Sequence, residues 1–208
     1  MQVIAVIGDI VASRNLPQRA VFQRRLKKVL DQTTGGARHL ASPYTITLGD
    51  EFQAVYRKAD GLFADVFRIM AEIHPVRTRI AIGVGDLSTR INPQQALGMD
   101  GPAFHLARAA LTELKENKRL LRIKGAGEEW RLACHLLNLL SHQVAGWSRN
   151  RLLVLEGLLR LQPVKEIEAG LQISRVAVYK NIRAAALDEV VGICHELERA
   201  LNQVLRDA

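Results

Sequence analysis

Cysteine is almost missing from this chain, with Cys134 and Cys194 standing alone among 208 residues. They show no CxxC spacing, which excludes a disulfide framework and a zinc knuckle and leaves both as small apolar residues in helical patterns. Aromatic residues are scarce at 5%, and none of the six histidines falls into an HExxH spacing. His135 and His142 share a helix without a supporting carboxylate, so they read as structural residues instead of metal ligands. Long apolar runs are also lacking. The longest are broken by Arg, His, Asn or Ser well before the ~18 to 20 residues that span a bilayer. The N-terminal run Val3 to Ile7 has no basic region ahead of it, so it reads as a strand instead of a targeting segment. The expectation is a cytoplasmic protein that makes no use of a membrane.

Positive charge is plentiful. The formal net charge is +8, and an apolar fraction of 48% is enough to build a buried core. A surplus of this size points to an anionic partner such as phosphate, nucleotide or nucleic acid. Its placement is local: residues 149 to 183 hold seven Lys or Arg against three Glu, and residues 184 to 208 hold two against five acids.

Taken in order, Val3 to Ile7 is a continuous β-branched run suited to a central strand, closed by Gly8-Asp9. A loop over residues 10 to 16 leads through Pro17 into a helix with Phe22, Leu26, Val29 and Leu30 on one stripe. Gly35-Gly36 and Pro43 end that helix and introduce YTITLGDEFQAVY, residues 44 to 56, which reads as a β-hairpin reversing at Gly49-Asp50. A second amphipathic helix, from about Ala59 to Ile73, precedes a strand from Arg77 to Gly85. A loop from Ser88 to Gly101, a helix from Pro102 to Glu116 and a strand from Arg119 to Lys124 follow. The order is βαββαβ and then αβ, an α+β class with a ferredoxin-like sheet in which the first strand is central and antiparallel to the second hairpin strand.

That topology brings Asp9 and Asp50 together at one edge of the sheet. Two carboxylates so placed repel unless a cation or proton lies between them. Magnesium answers the need, because it takes a few hard oxygens and is usually completed by substrate phosphates. Ser13 and Arg14 lie in the loop before a helix N-terminus, where free N–H groups hold phosphate oxygens. Asp86 is a weaker third acid, better read as a turn cap.

IGDIVASR, ITLGDEF and RIAIGVGD, in that order on those strands, resemble the SatD family over essentially the whole chain. The first ~130 residues are more distantly similar to the palm of class III nucleotidyl cyclases, which GGDEF-type cyclases share. GPAFHLARAA and RIKGAGE resemble the cyclase helix of pattern GxxVNxAxR and the strand and glycine turn after it. The resemblance implies a Mg (or Mn) ion held by Asp9, the Ile10 carbonyl and Asp50, and a nucleotide or phosphate near Ser13, Arg14, Gly49, Glu51 and Lys124. Where the cyclases carry an asparagine and an arginine, this chain has His105 and Ala109. Metal and nucleotide binding are therefore implied without cyclisation.

The first domain spans residues 1–127 on this reading, and a fully helical one spans 128–208. In the second, VKEIEAGLQISRVAVYKNIRAAAL resembles a helix-turn-helix, within about 148–186, with Ser174 as N-cap. Arg175, Val176, Tyr179, Lys180 and Arg183 form its outer, DNA-facing side. Leu187, Val190, Cys194, Leu197, Leu201 and Val204 repeat like an a/d seam, for a helix packed on its own domain or on a twin chain. The expected protein is a homodimeric regulator that couples metal and nucleotide binding to DNA binding. The alternatives are a nucleotidyl cyclase or nucleotidyltransferase whose helices only assemble a dimer, and an inactive scaffold.

Overall fold

The computed structural model describes residues 1–127 and 130–206. Its elements run β1 (Gln2–Ile10), α1 (Arg19–Gly36), β2 (Leu40–Leu48), β3 (Glu51–Tyr56), α2 (Leu62–Ile73), β4 (Thr78–Asp86), α3 (Pro102–Glu116), β5 (Leu121–Lys124), α4 (Arg131–Val144), α5 (Arg149–Leu159), α6 (Val164–Leu171), α7 (Arg175–Ala184) and α8 (Leu187–Arg206). The strands form one sheet of order β2-β3-β1-β4-β5. β1 lies antiparallel to both β3 and β4, while β5 is parallel to β4. The first strand is thus central, as its unbroken apolar run predicts.

Alternation along β1 divides the core in two. Ile4, Val6 and Ile10 pack with Leu26 and Leu30 of α1 and with Leu62 and Phe63 of α2. Val3, Ala5 and Ile7 meet Ala103, Ala107 and Leu111 of α3 on the opposite face. The strand does not close at Gly8-Asp9 but runs on to Ile10. Gly8 instead seats the ring of Phe52, since a Cβ there would lie 2.0 Å from it. Gly83 does the same for α3, because an added Cβ would meet the Ala103 carbonyl at 2.1 Å. β2 also begins earlier than the sequence suggests and includes Pro43. It lies at the sheet edge, where the pairing with β3 shifts register and a missing N–H is tolerated.

The helical half sits directly on the sheet body, with α5 packed against α2. The expected boundary at 127/128 adjoins residues 128 and 129, outside the described residues. On either side of it one hydrophobic cluster runs from Ile4 and Phe63 to Leu155 and Leu201. The α8 seam faces this cluster: Leu187, Cys194, Leu197 and Leu201 are buried within the chain, and Val190 and Val204 pack against them. That seam is therefore spent on the chain's own core.

Two buried acids fasten the halves together. Asp65 of α2 accepts hydrogen bonds from the Tyr56 hydroxyl (2.7 Å) and from Arg160 Nη2 (2.8 Å), just past α5. Tyr56 in turn bonds the Tyr44 hydroxyl at 2.9 Å, so a polar line crosses from the sheet to the helices. α2 has no side-chain cap of its own. Glu198 of α8 supplies one, accepting from the Phe63 N–H at 3.0 Å, a free donor of the first turn.

Burial pushes both carboxyls upward, against the hydrogen bonds from Tyr56 and Arg160 at Asp65 and from the Phe63 N–H at Glu198. The folded state holds these protons more tightly than the unfolded one. Their contribution therefore favours folding below the ordinary carboxylate range and is lost as pH rises through the raised values. Glu198→Gln keeps an acceptor but cannot titrate, so urea midpoints measured against pH are expected to fall less steeply over that window. Glu198→Ala loses the cap and is expected to cost about 1–2 kcal/mol.

Candidate functional site

The sheet rim where β1 ends gathers residues from four elements. Register sets Asp9 opposite Glu51 on β3 and opposite Arg79 on β4. Asp9 shares its side of β1 with Val3, Ala5 and Ile7, the side covered by α3. There Arg79 Nη1 lies 2.7 Å from Asp9 Oδ2, and Lys115 Nζ lies 2.9 Å from Oδ1. Lys115 also reaches Glu51 at 3.5 Å, and Arg108 holds the other Glu51 oxygen at 2.6 Å. Asp9 is 5% exposed, so its charge needs these partners.

Asp50 arrives at the same rim by backbone, its carbonyl accepting from the Ile10 N–H at 3.0 Å. Its carboxylate takes a different partner, the hydroxyl of the buried Ser13. The tip of the hairpin is anchored further by Gln23, which donates to the Gly49 carbonyl at 3.1 Å. The structure thus joins Asp9, Asp50, Ser13, Gly49 and Glu51 at one edge. Arg14 is exposed beside them. Lys124 is not part of this edge: it pairs with Glu113, and its register partner Gly83 lies four residues along β4 from Arg79, roughly 13 Å away. Asp86 aligns with Gln2, at the opposite end of β1 from Asp9.

Asp9, the Ile10 carbonyl and Asp50 would be the ligands of a divalent ion at this rim. Both Asp9 oxygens are already engaged by cations, Glu51 is held by Arg108 and Lys115, and Asp50 is bound by the Ser13 hydroxyl. Among the described residues no group of three or more His, Cys, Asp or Glu is placed to hold a metal. In this arrangement the donor set does not fit a divalent cation, because an ion would have to share Asp9 with two positive charges.

The three cations were not legible from the motifs. Arg79 follows from register alone, since a residue paired opposite a buried aspartate is its natural counter-ion. Lys115 and Arg108 required knowing which face of the sheet α3 covers. His105 and Ala109, by contrast, are exposed, and His105 lies 2.9 Å from Asp100.

In the helical half α6 and α7 form two short helices joined by a tight turn. Gln172 adopts a left-handed conformation (φ 53°) that ends α6, and the Ser174 hydroxyl caps α7 by accepting from the Ala177 N–H at 3.2 Å. Ile167, Val178 and Ile182 are buried beneath. Arg175, Val176, Tyr179, Lys180 and Arg183 are all exposed on α7. Val176 (77%) and Tyr179 (44%) are among the exposed apolar residues. Arg175 is held at 3.1 Å by Glu168.

The pattern of the SatD family matches residues 3–191. A solved bacterial light-regulated adenylyl cyclase is 18% identical, with 59% of this chain and 74% of that one covered at a TM-score of 0.46. A second such structure is also 18% identical and covers 59% of this chain and 43% of that one, at 0.45. The guanylyl cyclase Cya2 is 12% identical over 54% of this chain and 70% of its own, at 0.36. Among curated proteins none matches.

Removing either side of the Asp9 cluster is expected to have unequal effects. Asp9→Ala strands Arg79, whose side chain is only 16% exposed, and is expected to cost about 3–5 kcal/mol in chemical denaturation. Lys115→Ala removes a 45%-exposed partner and is expected to cost under about 1 kcal/mol.

Proposed function

The chain belongs to the SatD family, and from that premise we propose that it is a DNA-binding regulator whose sheet half answers to a phosphate-bearing ligand. One observation carries the DNA reading. The exposed side of α7 combines Arg175, Lys180 and Arg183 with the uncovered Val176 and Tyr179, on a helix capped and buttressed from below. A groove-reading helix uses the cations for phosphates and the apolar groups for base edges.

The sheet half, which we read as a ferredoxin-like palm over residues 1–127, supports the second part through its charge. The rim at Asp9 opens into a cavity of about 660 Å³ lined by Arg77, Arg79, Lys115, Lys118 and Arg119. Such a surface suits the charge of a phosphate ligand. Both parts rest on one continuous core: α6 and α7 pack against α5, and α5 packs against α2. A homodimer fits a helix-turn-helix protein, but it needs a face other than the α8 seam. The described residues include no helix long and apolar enough to cross a membrane.

The enzyme reading is the weaker one. His105 and Ala109 face solvent on α3 where the cyclases carry an asparagine and an arginine, and the neighbouring Arg108 is held by Glu51, so the transition-state cation of that segment is missing. Incubation with ATP or GTP and magnesium is accordingly expected to release no pyrophosphate.

Binding to a labelled DNA duplex is expected to weaken linearly in log affinity against log salt. Lys180→Ala and Arg183→Ala should each reduce that slope by about one. A slope near zero, or one unchanged when both residues are removed, would count against α7 as the DNA contact.

A further inference from the structure

We infer that the basic cavity at the β1 rim binds a polyphosphate chain, as in a nucleoside di- or triphosphate, through side-chain cations alone and without a divalent ion. This rests on the reading of the rim as a phosphate site and specifies how the site works. Arg77, Arg79, Lys115, Lys118 and Arg119 line the cavity, and no carboxylate does. Asp9, at its border, engages only Arg79 and Lys115. Arg77, Lys118 and Arg119 have no ion-pair partner among the described residues and are exposed to the cavity's solvent. Arg79 keeps one further donor in hand: its Nε is buried without a hydrogen-bond partner.

A bland account exists for part of this charge. Lys115 and Lys118 stand at the C-terminal end of α3, where cations complement the helix dipole. That account does not reach Arg77, which stands just before β4 and faces the same cavity; Arg79 is already paired with Asp9. Asp9 joins Arg79 to Lys115, but Arg77, Lys118 and Arg119 converge on the cavity with no acid among the described residues between them, a cost unless an anion enters. The volume, about 660 Å³, exceeds the need of a single phosphate. Apolar walls from Leu16, Val76 and Leu120 offer a surface for a base or ribose beside the charged end.

The sign of the magnesium effect separates this from a metal-centred site. Where carboxylates hold a metal that holds the phosphates, chelation abolishes binding. Where guanidinium and ammonium groups contact the phosphates directly, magnesium competes with them by neutralising the ligand. The experiment is titration calorimetry of the full chain with ATP, GTP and inorganic tripolyphosphate, each in EDTA and in excess magnesium. The inference expects binding in EDTA that becomes several-fold weaker with magnesium. Tripolyphosphate is expected to bind more weakly than the nucleotides by whatever the apolar walls contribute.

Arg77→Gln combined with Arg119→Gln touches two exposed residues without protein partners, so the fold is retained. Affinity in EDTA is expected to drop at least tenfold, while Arg183→Ala leaves it unchanged. Binding seen only with magnesium would overturn the inference but preserve the phosphate reading of the rim. No binding in either buffer would overturn both. Full affinity in the double variant would show that the cations are not the contacts.

Discussion

The position of β1 between β3 and β4 is the constraint on which the rest of this structure depends. Side chains alternate strictly along a strand, so a slip of one residue would exchange the two faces. Ile4, Val6 and Ile10 would then leave the core beneath α1 and α2, and Asp9 would enter it. Register is thus fixed by apolar burial on both sides of the sheet, at about 1.5–3 kcal/mol for each large side chain. Once it is fixed, Asp9 has no choice of neighbours: Glu51 stands on one side and Arg79 on the other. The chemistry of the rim is a by-product of how the core packs.

From that placement follows the electrical character of the rim. A buried carboxylate opposite an arginine and under a lysine is a compensated group, with little free charge left to attract a metal. The surplus lies beyond it, on Arg77, Lys118 and Arg119. The molecule therefore presents two cationic surfaces built from different elements, the rim and the outer side of α7. Between them the core is continuous, tied by Asp65 to Arg160 and by Glu198 to the start of α2. A change in strain at the sheet has a packed route toward the helix pair. Burial has raised both of these carboxyls above their ordinary range.

Much of this was legible in the chain itself. The run Val3 to Ile7, the reversal at Gly49-Asp50 and the Ser174 cap are local signals, and each sits where it was expected. Other features were hidden because distant residues decide them. Gly8 resembled a strand stop, yet it is the seat of the Phe52 ring, forty-four positions later. The α8 repeat fits a twin chain as well as its own core until α5 and α7 are seen to cover it. Asp65 and Glu198 belong to no motif, and only tertiary contact makes one a cross-link and the other a cap. Most consequential was the rim. Two aspartates converge as the strand order demands, but the cations that answer Asp9 lie seventy and more positions away in sequence.

The most direct measurement is diffraction from crystals grown with manganese, whose anomalous signal locates the ion without ambiguity. The account predicts no peak between Asp9 and Asp50, with Arg79 still bridging Asp9. A peak at bonding distance from both carboxylates, with Arg79 and Lys115 swung away, would contradict it.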